Sequence, residues 1–296
     1  MDQQLDDLYH RFVGRAFDRQ LRLAEFQERK APGEDWDFDT ESAILNFGPK
    51  LQFVAPMVGS HAHHNDSWMW SWANRTIKLS ITNRALGDTI RAMAHRAMVP
   101  EFAKNAFPLE PLIGEELTRH AVHFFGSILV GELDYDGYFV APYDGGQALL
   151  LLRDDRLRVN EKHPLARVLS VFPQAIAALP VPNHRDAFTN YVRSYGLTFT
   201  EEGGQVKVTG SEKGELTATF DERGRLTSLV GTGIAMPKPR PTAPKKKVKP
   251  KKKPVPMKAK KKVVKAKAKK PVPAKKVKPT VKPKAKPVIK KRPSKR

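Results

Sequence analysis

At Met236 the chain changes character, and no single fold can take in both sides of that boundary. From Met236 to Arg296 there are 28 Lys and Arg, with no Asp, Glu, aromatic residue or Gly. Thirteen prolines interrupt any continuous helix there, and the like charges repel, so no core can form. The expected state is a disordered Lys/Pro/Ala-rich tail, rising about 3.1 Å per residue where polyproline geometry holds. Residues 1–235 hold all four Trp, all fifteen Phe and all six Tyr. The net charge of +22 divides accordingly: the tail carries +28, and the body keeps 25 basic residues against 31 acidic ones.

A body of this length can bury a real core as one large or two small domains. The chain has no Cys, which excludes disulfides and thiolate metal sites and suits a reducing cytosol. Its N-terminus is acidic and amphipathic, unlike a secretory leader. The strongest apolar run, Ala148 to Leu152, is far too short to span a membrane. The expectation is a cytoplasmic protein without a membrane span.

Leu5, Leu8, Tyr9, Phe12, Val13, Ala16, Phe17, Leu21 and Ala24 fall at helical spacing, which predicts an amphipathic helix from Gln3 to about Arg29, stopped by Pro32-Gly33. Strands are expected at Trp36–Phe38, Ala43–Phe47, Lys50–Val58 and Ser67–Ala73, with turns at Gly48-Pro49 and Asn65-Asp66. Two helices follow, from Ile81 to Ala97 and from Glu115 to Val130, then a strand pair around Asp144-Gly145-Gly146. This predicts an α+β domain over residues 1–155, with an antiparallel sheet and helices. Residues 156–235 read as a smaller helix and β-meander unit, either separate or packed on the first. Its first helix begins at Pro164 and is ended or kinked by Pro173; a second is capped by Asn183 and closed by Gly196. Four strands between Leu197 and Val230 turn at Gly203-Gly204 and at Glu222 to Gly224. The tail occupies 236–296.

The tail suits nucleic acid. Each neutralised phosphate releases counterions, so affinity should fall steeply with salt. Lys dominates over Arg, which argues against bidentate reading of guanine, and the absent aromatics argue against stacking on unpaired bases. A DNA duplex is therefore a better target than RNA. The densest charge lies at Lys245, Lys246, Lys247, Lys251, Lys252, Lys253, Lys260, Lys261, Lys262, Lys267, Lys269 and Lys270. Words such as Ala266-Lys-Ala-Lys-Lys-Pro271 and Pro273-Ala-Lys-Lys276 resemble the C-terminal tails of linker histones and the similar tails of some bacterial proteins. That resemblance implies a nucleoid- or chromatin-associated protein. Pro244 to Lys249 also resembles a nuclear-import signal, which would matter in a eukaryote.

In the body, Trp68-Met-Trp70-Ser-Trp72-Ala-Asn74 would put three indoles on one face of a strand. They form either a core face, favoured by the area a buried Trp contributes, or an aromatic platform for a ligand. The motif, preceded by Gly59-Ser60 and followed by helices with an early Glu115-Glu116, resembles an uncharacterised bacterial domain family over about residues 5–155. The resemblance implies a fold class and no reaction.

His61, His63 and Asp66, with His64 nearby, are the best metal candidate, since imidazole suits zinc or nickel; the other reading is a polar loop. Glu116, His120 and His123 would line one side of a helix, without the spacing of zinc proteases. Asp37, Asp39 and Glu41 alternate along a strand and could hold a cation or simply face solvent. No dinucleotide, phosphate-loop or nucleophile-elbow motif is present. The expectation is a non-enzymatic, DNA-associated protein without a cofactor, whose body offers a surface to a protein partner. The alternatives are a body with its own metal-dependent or small-molecule activity, located by the tail, and an RNA- or ribosome-associated protein.

Overall fold

The computed structural model describes residues 2–235, and the twelve tail lysines lie outside them. Helix α1 (Gln3–Lys30) organises the fold. Asp2 caps it, accepting from the backbone N–H groups of Gln4 and Leu5 at 3.0 and 3.1 Å. At 1.5 Å per residue a helix of this length is about 42 Å long, enough to carry several packed neighbours. Its stripe of Leu5, Leu8, Tyr9, Val13 and Ala16 is buried. Gly14 and Gly131 set how closely it is approached. A Cβ on Gly14 would lie 2.7 Å from the Tyr191 side chain, and one on Gly131 would lie 2.1 Å from the Phe12 ring.

Strands β1 (Trp36–Asp39), β2 (Ile44–Phe47) and β3 (Leu51–Val54) form an antiparallel meander. The strand expected over Lys50–Val58 is two strands, because Ala55-Pro56 ends one ladder. The chain then enters β4 (Met57–Ala62), which pairs with β5 (Ser67–Trp70). These join a second, five-stranded antiparallel sheet, completed by β6 (Ala106–Pro108), β7 (Gly137–Tyr143) and β8 (Gly146–Leu152) in the order β6-β5-β4-β8-β7.

The apolar run in β8 is explained by cover on both faces. Leu149 and Leu151 enter the main core, and Ala148, Leu150 and Leu152 enter a smaller one with Phe26, Phe47, Phe53 and Met57. Helix α2 (Ile81–Ala97) is capped by the Ser80 side chain and closed by Met98 in the left-handed region. The single helix expected from Glu115 to Val130 is instead α3 (Glu110–Thr118), interrupted at Gly114, and α4 (Ala121–Glu132). His120, at φ −113° and ψ 19°, separates them.

Helix α5 (Pro164–Ala178) continues past Pro173, so the proline does not end it. Pro173 cannot donate to the turn before it, yet Val171, Phe172 and Ala175 on either side are buried, and that packing holds the helix together. Helix α6 (His184–Ser194) is capped by Asn183, as its sequence indicates. Strands β9 (Thr198–Glu202), β10 (Gln205–Thr209), β11 (Glu215–Phe220) and β12 (Leu226–Thr232) form a third antiparallel sheet in sequential order. The fold is α+β throughout the described residues. One apolar cluster runs from Leu5 to Phe220, so residues on both sides of position 155 share a core. No helix among the described residues is long and apolar enough to cross a membrane.

Candidate functional site

The Trp motif bends away from the expected strand. β5 ends at Trp70, and Ser71–Ala73 is a turn of 3-10 helix. Trp68 and Trp70 are fully buried, edge-on to one another at 5.4 Å, and Trp68 lies 4.5 Å from the Phe125 ring. Trp70 Nε1 donates to the Glu101 carbonyl at 2.9 Å, satisfying its polar atom inside the core. Trp72 stacks on Trp70 at 5.2 Å and 11°. The Arg91 guanidinium lies 4.5 Å from the centre of the Trp72 ring, a cation–π contact. The indoles thus pack against protein partners rather than presenting three open faces in a row.

The histidine candidates separate by environment. His61 sits within β4 and is buried, while His63, His64 and Asp66 lie in the exposed turn leading to β5. His61 Nε2 is 3.1 Å from Asp66 Oδ1, and the His63 ring stands edge-on to it at 5.0 Å. Burial lowers the His61 pKa, partly opposed by the Asp66 hydrogen bond. The pair therefore works as an anchored turn: a neutral imidazole donates to the carboxylate of Asp66, whose own backbone takes φ +45°.

Glu116, His120 and His123 do not share one helical face, because the chain breaks at His120. Glu116 is exposed on α3, and His123 Nδ1 is 2.9 Å from the hydroxyl of buried Tyr138. Asp37 accepts from the Asn46 side chain and Asp39 from the Glu41 backbone N–H. Glu41 lies beyond β1 and pairs with Lys78 at 3.8 Å. Among the described residues, no group of three or more His, Asp or Glu side chains converges as a metal site would require.

The densest buried charge involves residues that the sequence does not single out. Asp18 of α1 is buried and accepts from Arg167 Nε of α5 at 2.6 Å and from the Tyr195 hydroxyl just after α6. Arg22, one turn along α1, approaches Asp18 at 3.4 Å, Glu161 at 3.1 Å and the Tyr195 oxygen at 2.9 Å. Burial pushes the Tyr195 phenol up to about 12, reinforced by the Asp18 carboxylate. Nearby, His10 Nε2 accepts from the Asn183 backbone N–H at 2.9 Å. The only sequence signal is a carboxylate on the inward side of an amphipathic helix; its partners lie too far along the chain to be inferred.

This geometry gives stable packing and an oriented set of guanidinium groups. A model for a family of unknown function (DUF6882) matches residues 6–155, from the first turns of α1 to just beyond β8. No curated protein and no solved structure matches the chain. The family match takes in the Trp core, the five-stranded sheet and most of α1, about half of the sequence. By that match the chain belongs to DUF6882, a family of unknown function.

Proposed function

We propose that this is a non-enzymatic, DNA-associated protein that binds the duplex backbone without reading its sequence. The observation that carries this reading is the division of charge: 28 Lys and Arg without one acid over residues 236–296, against a mildly acidic body. The tail's charge exceeds anything the body could neutralise, so most of its lysines stay available to phosphates. Lys245–Lys247, Lys251–Lys253, Lys260–Lys262, Lys267, Lys269 and Lys270 supply the densest contacts. Ammonium groups act here as point charges, which favours electrostatic attachment over base recognition. In a bacterium this places the protein at the nucleoid, with the body presented to a protein partner.

Gel shifts with the full-length chain and a chain ending at Ala235 test the proposal. Full-length protein is expected to bind random-sequence duplexes and to lose about a thousandfold or more in affinity between about 50 mM and about 200 mM salt. Binding that survives removal of the tail, or that ignores salt, overturns it. Tighter binding to RNA of the same length would redirect the reading to RNA or the ribosome.

A further inference from the structure

Beside the Asp18 cluster, α1, the turn at Asp155–Leu157 and α5 enclose a cleft of about 100 Å³. Four guanidinium groups, from Arg22, Arg29, Arg156 and Arg167, line it with only two carboxylates, Glu25 and Glu161. The spacing on α1 brings this about. Asp18, Arg22, Glu25 and Arg29 follow one another at four, three and four residues, so they form one helical face. Residues outside the family match, from Arg156 onward, supply the opposite wall.

Two of the arginines pair with the lining carboxylates, Arg167 with Glu25 and Arg22 with Glu161, and Asp18 and Asp154 hold Arg167 and Arg156 from outside the lining. Arg167 is fixed by Asp18 through Nε and by Glu25 through Nη1 at 3.2 Å, while its Nη2 is buried without a partner among the described residues. Arg156 is pinned by Asp154 and by the Gln52 carbonyl at 2.8 Å, and lies over the Phe26 and Phe53 rings. Arg29 reaches the Glu25 carbonyl at 3.2 Å and makes no ion pair among the described residues. With four guanidinium groups against two carboxylates, the cleft carries an excess of positive charge that an anion would balance. Guanidinium forks match the oxygens of phosphate. The volume is that of about three water molecules, suited to one compact tetrahedral group.

We propose that this cleft binds a terminal phosphate, either free inorganic phosphate or the end of a phosphate monoester. A phosphodiester within a duplex carries a sugar on both sides and needs more room than about 100 Å³. The site is therefore distinct from the DNA contacts assigned to the tail, and either reading can fail without the other.

Isothermal titration of the full-length protein with inorganic phosphate, and separately with ribose 5-phosphate, tests this at constant ionic strength. The comparison is with R29Q, with R156Q, and with R91Q on α2 as a control that loses the same charge elsewhere. All four chains keep the tail, so weak association with its lysines contributes equally. Wild type and R91Q are expected to bind saturably at one site, and R29Q and R156Q about tenfold more weakly, with melting in chloride unchanged for R29Q. Tighter binding of the sugar phosphate would identify a monoester as the occupant, and equal affinity the free ion. If R29Q and R156Q bind phosphate as wild type does, or if R91Q weakens as much as they do, the proposal is overturned.

Discussion

On one flank of α1, Phe12 presses against Gly131 of α4, and Tyr9 lies 4.7 Å from Phe124. On another flank the same helix reaches α5 and α6 through Asp18, Arg22 and His10. The first contact lies within the family-matched half and is built on rings; the second joins that half to residues 156–235, where a buried ionic and hydrogen-bonded cluster is added to apolar packing such as Gly14 on Tyr191. Apolar packing tolerates changes of pH and salt, whereas a buried carboxylate between two arginines depends on every partner being present. One helix thus belongs to two interfaces with different vulnerabilities, and each can be broken separately.

The largest effect is expected in the apolar half. Trp70→Ala removes a fully buried ring and the donor to Glu101, and should cost about 4 kcal/mol in urea denaturation. Asp18→Ala should cost about 3 kcal/mol by leaving Arg167 and Arg22 facing one another without their carboxylate. Asp18→Asn should also bring the Tyr195 phenol down from about 12, which the ultraviolet absorbance of phenolate reports directly. If Asp18→Ala leaves stability unchanged, the ionic flank is decoration and the apolar core alone joins the two parts.

Acid should weaken both halves through histidines. Burial lowers the pKa of His61 and His123 in the family-matched half, and of His184 at the start of α6. Each binds a proton less readily folded than unfolded. The stability it contributes is complete above the ordinary value of 6.5 and is lost as pH falls through its folded pKa. Denaturation midpoints measured from neutral to mildly acidic pH should therefore fall below that value. His184 Nδ1 accepts from the Leu226 backbone N–H at 3.1 Å, so His184→Gln should flatten part of the slope. The smallest effect is expected at Asp134, which bonds Arg19 at 3.0 Å but is 72% exposed. Asp134→Asn should cost less than about 1 kcal/mol, and less still in high salt.

Much of the fold was legible in the residues. The periodicity of α1, the Asp144-Gly145 turn between β7 and β8, and the paired glycines between β9 and β10 each act locally. The breaks that escaped have non-local causes. Apolar residues at Ile113, Leu117, Ala121, Phe124, Phe125 and Ile128 keep a helical rhythm across His120, with no Gly or Pro at the break, so nothing nearby marks it. β6 is three residues long and ends in Pro108; it is a strand only because β5 lies beside it. Of the candidate sites, Trp68 and Trp70 were legible as buried mass, because large rings at alternate positions of a strand suit a core face. The Asp18–Arg167 pair was not, since the two residues stand 149 apart in sequence. Only the folded chain makes them neighbours.

The four-stranded sheet has a mechanical consequence. β12 is its outermost strand, hydrogen-bonded to β11 on one side, and the chain continues from it through Ala235 toward Met236. Tension transmitted along the chain from beyond residue 235 therefore enters the body through β12, loading first the Thr232–Glu215 end of that ladder. A strand at the margin of a sheet can be peeled away while the sheet behind it stays intact. Under load the first thing to yield would be a single ribbon, leaving the Trp core unstrained.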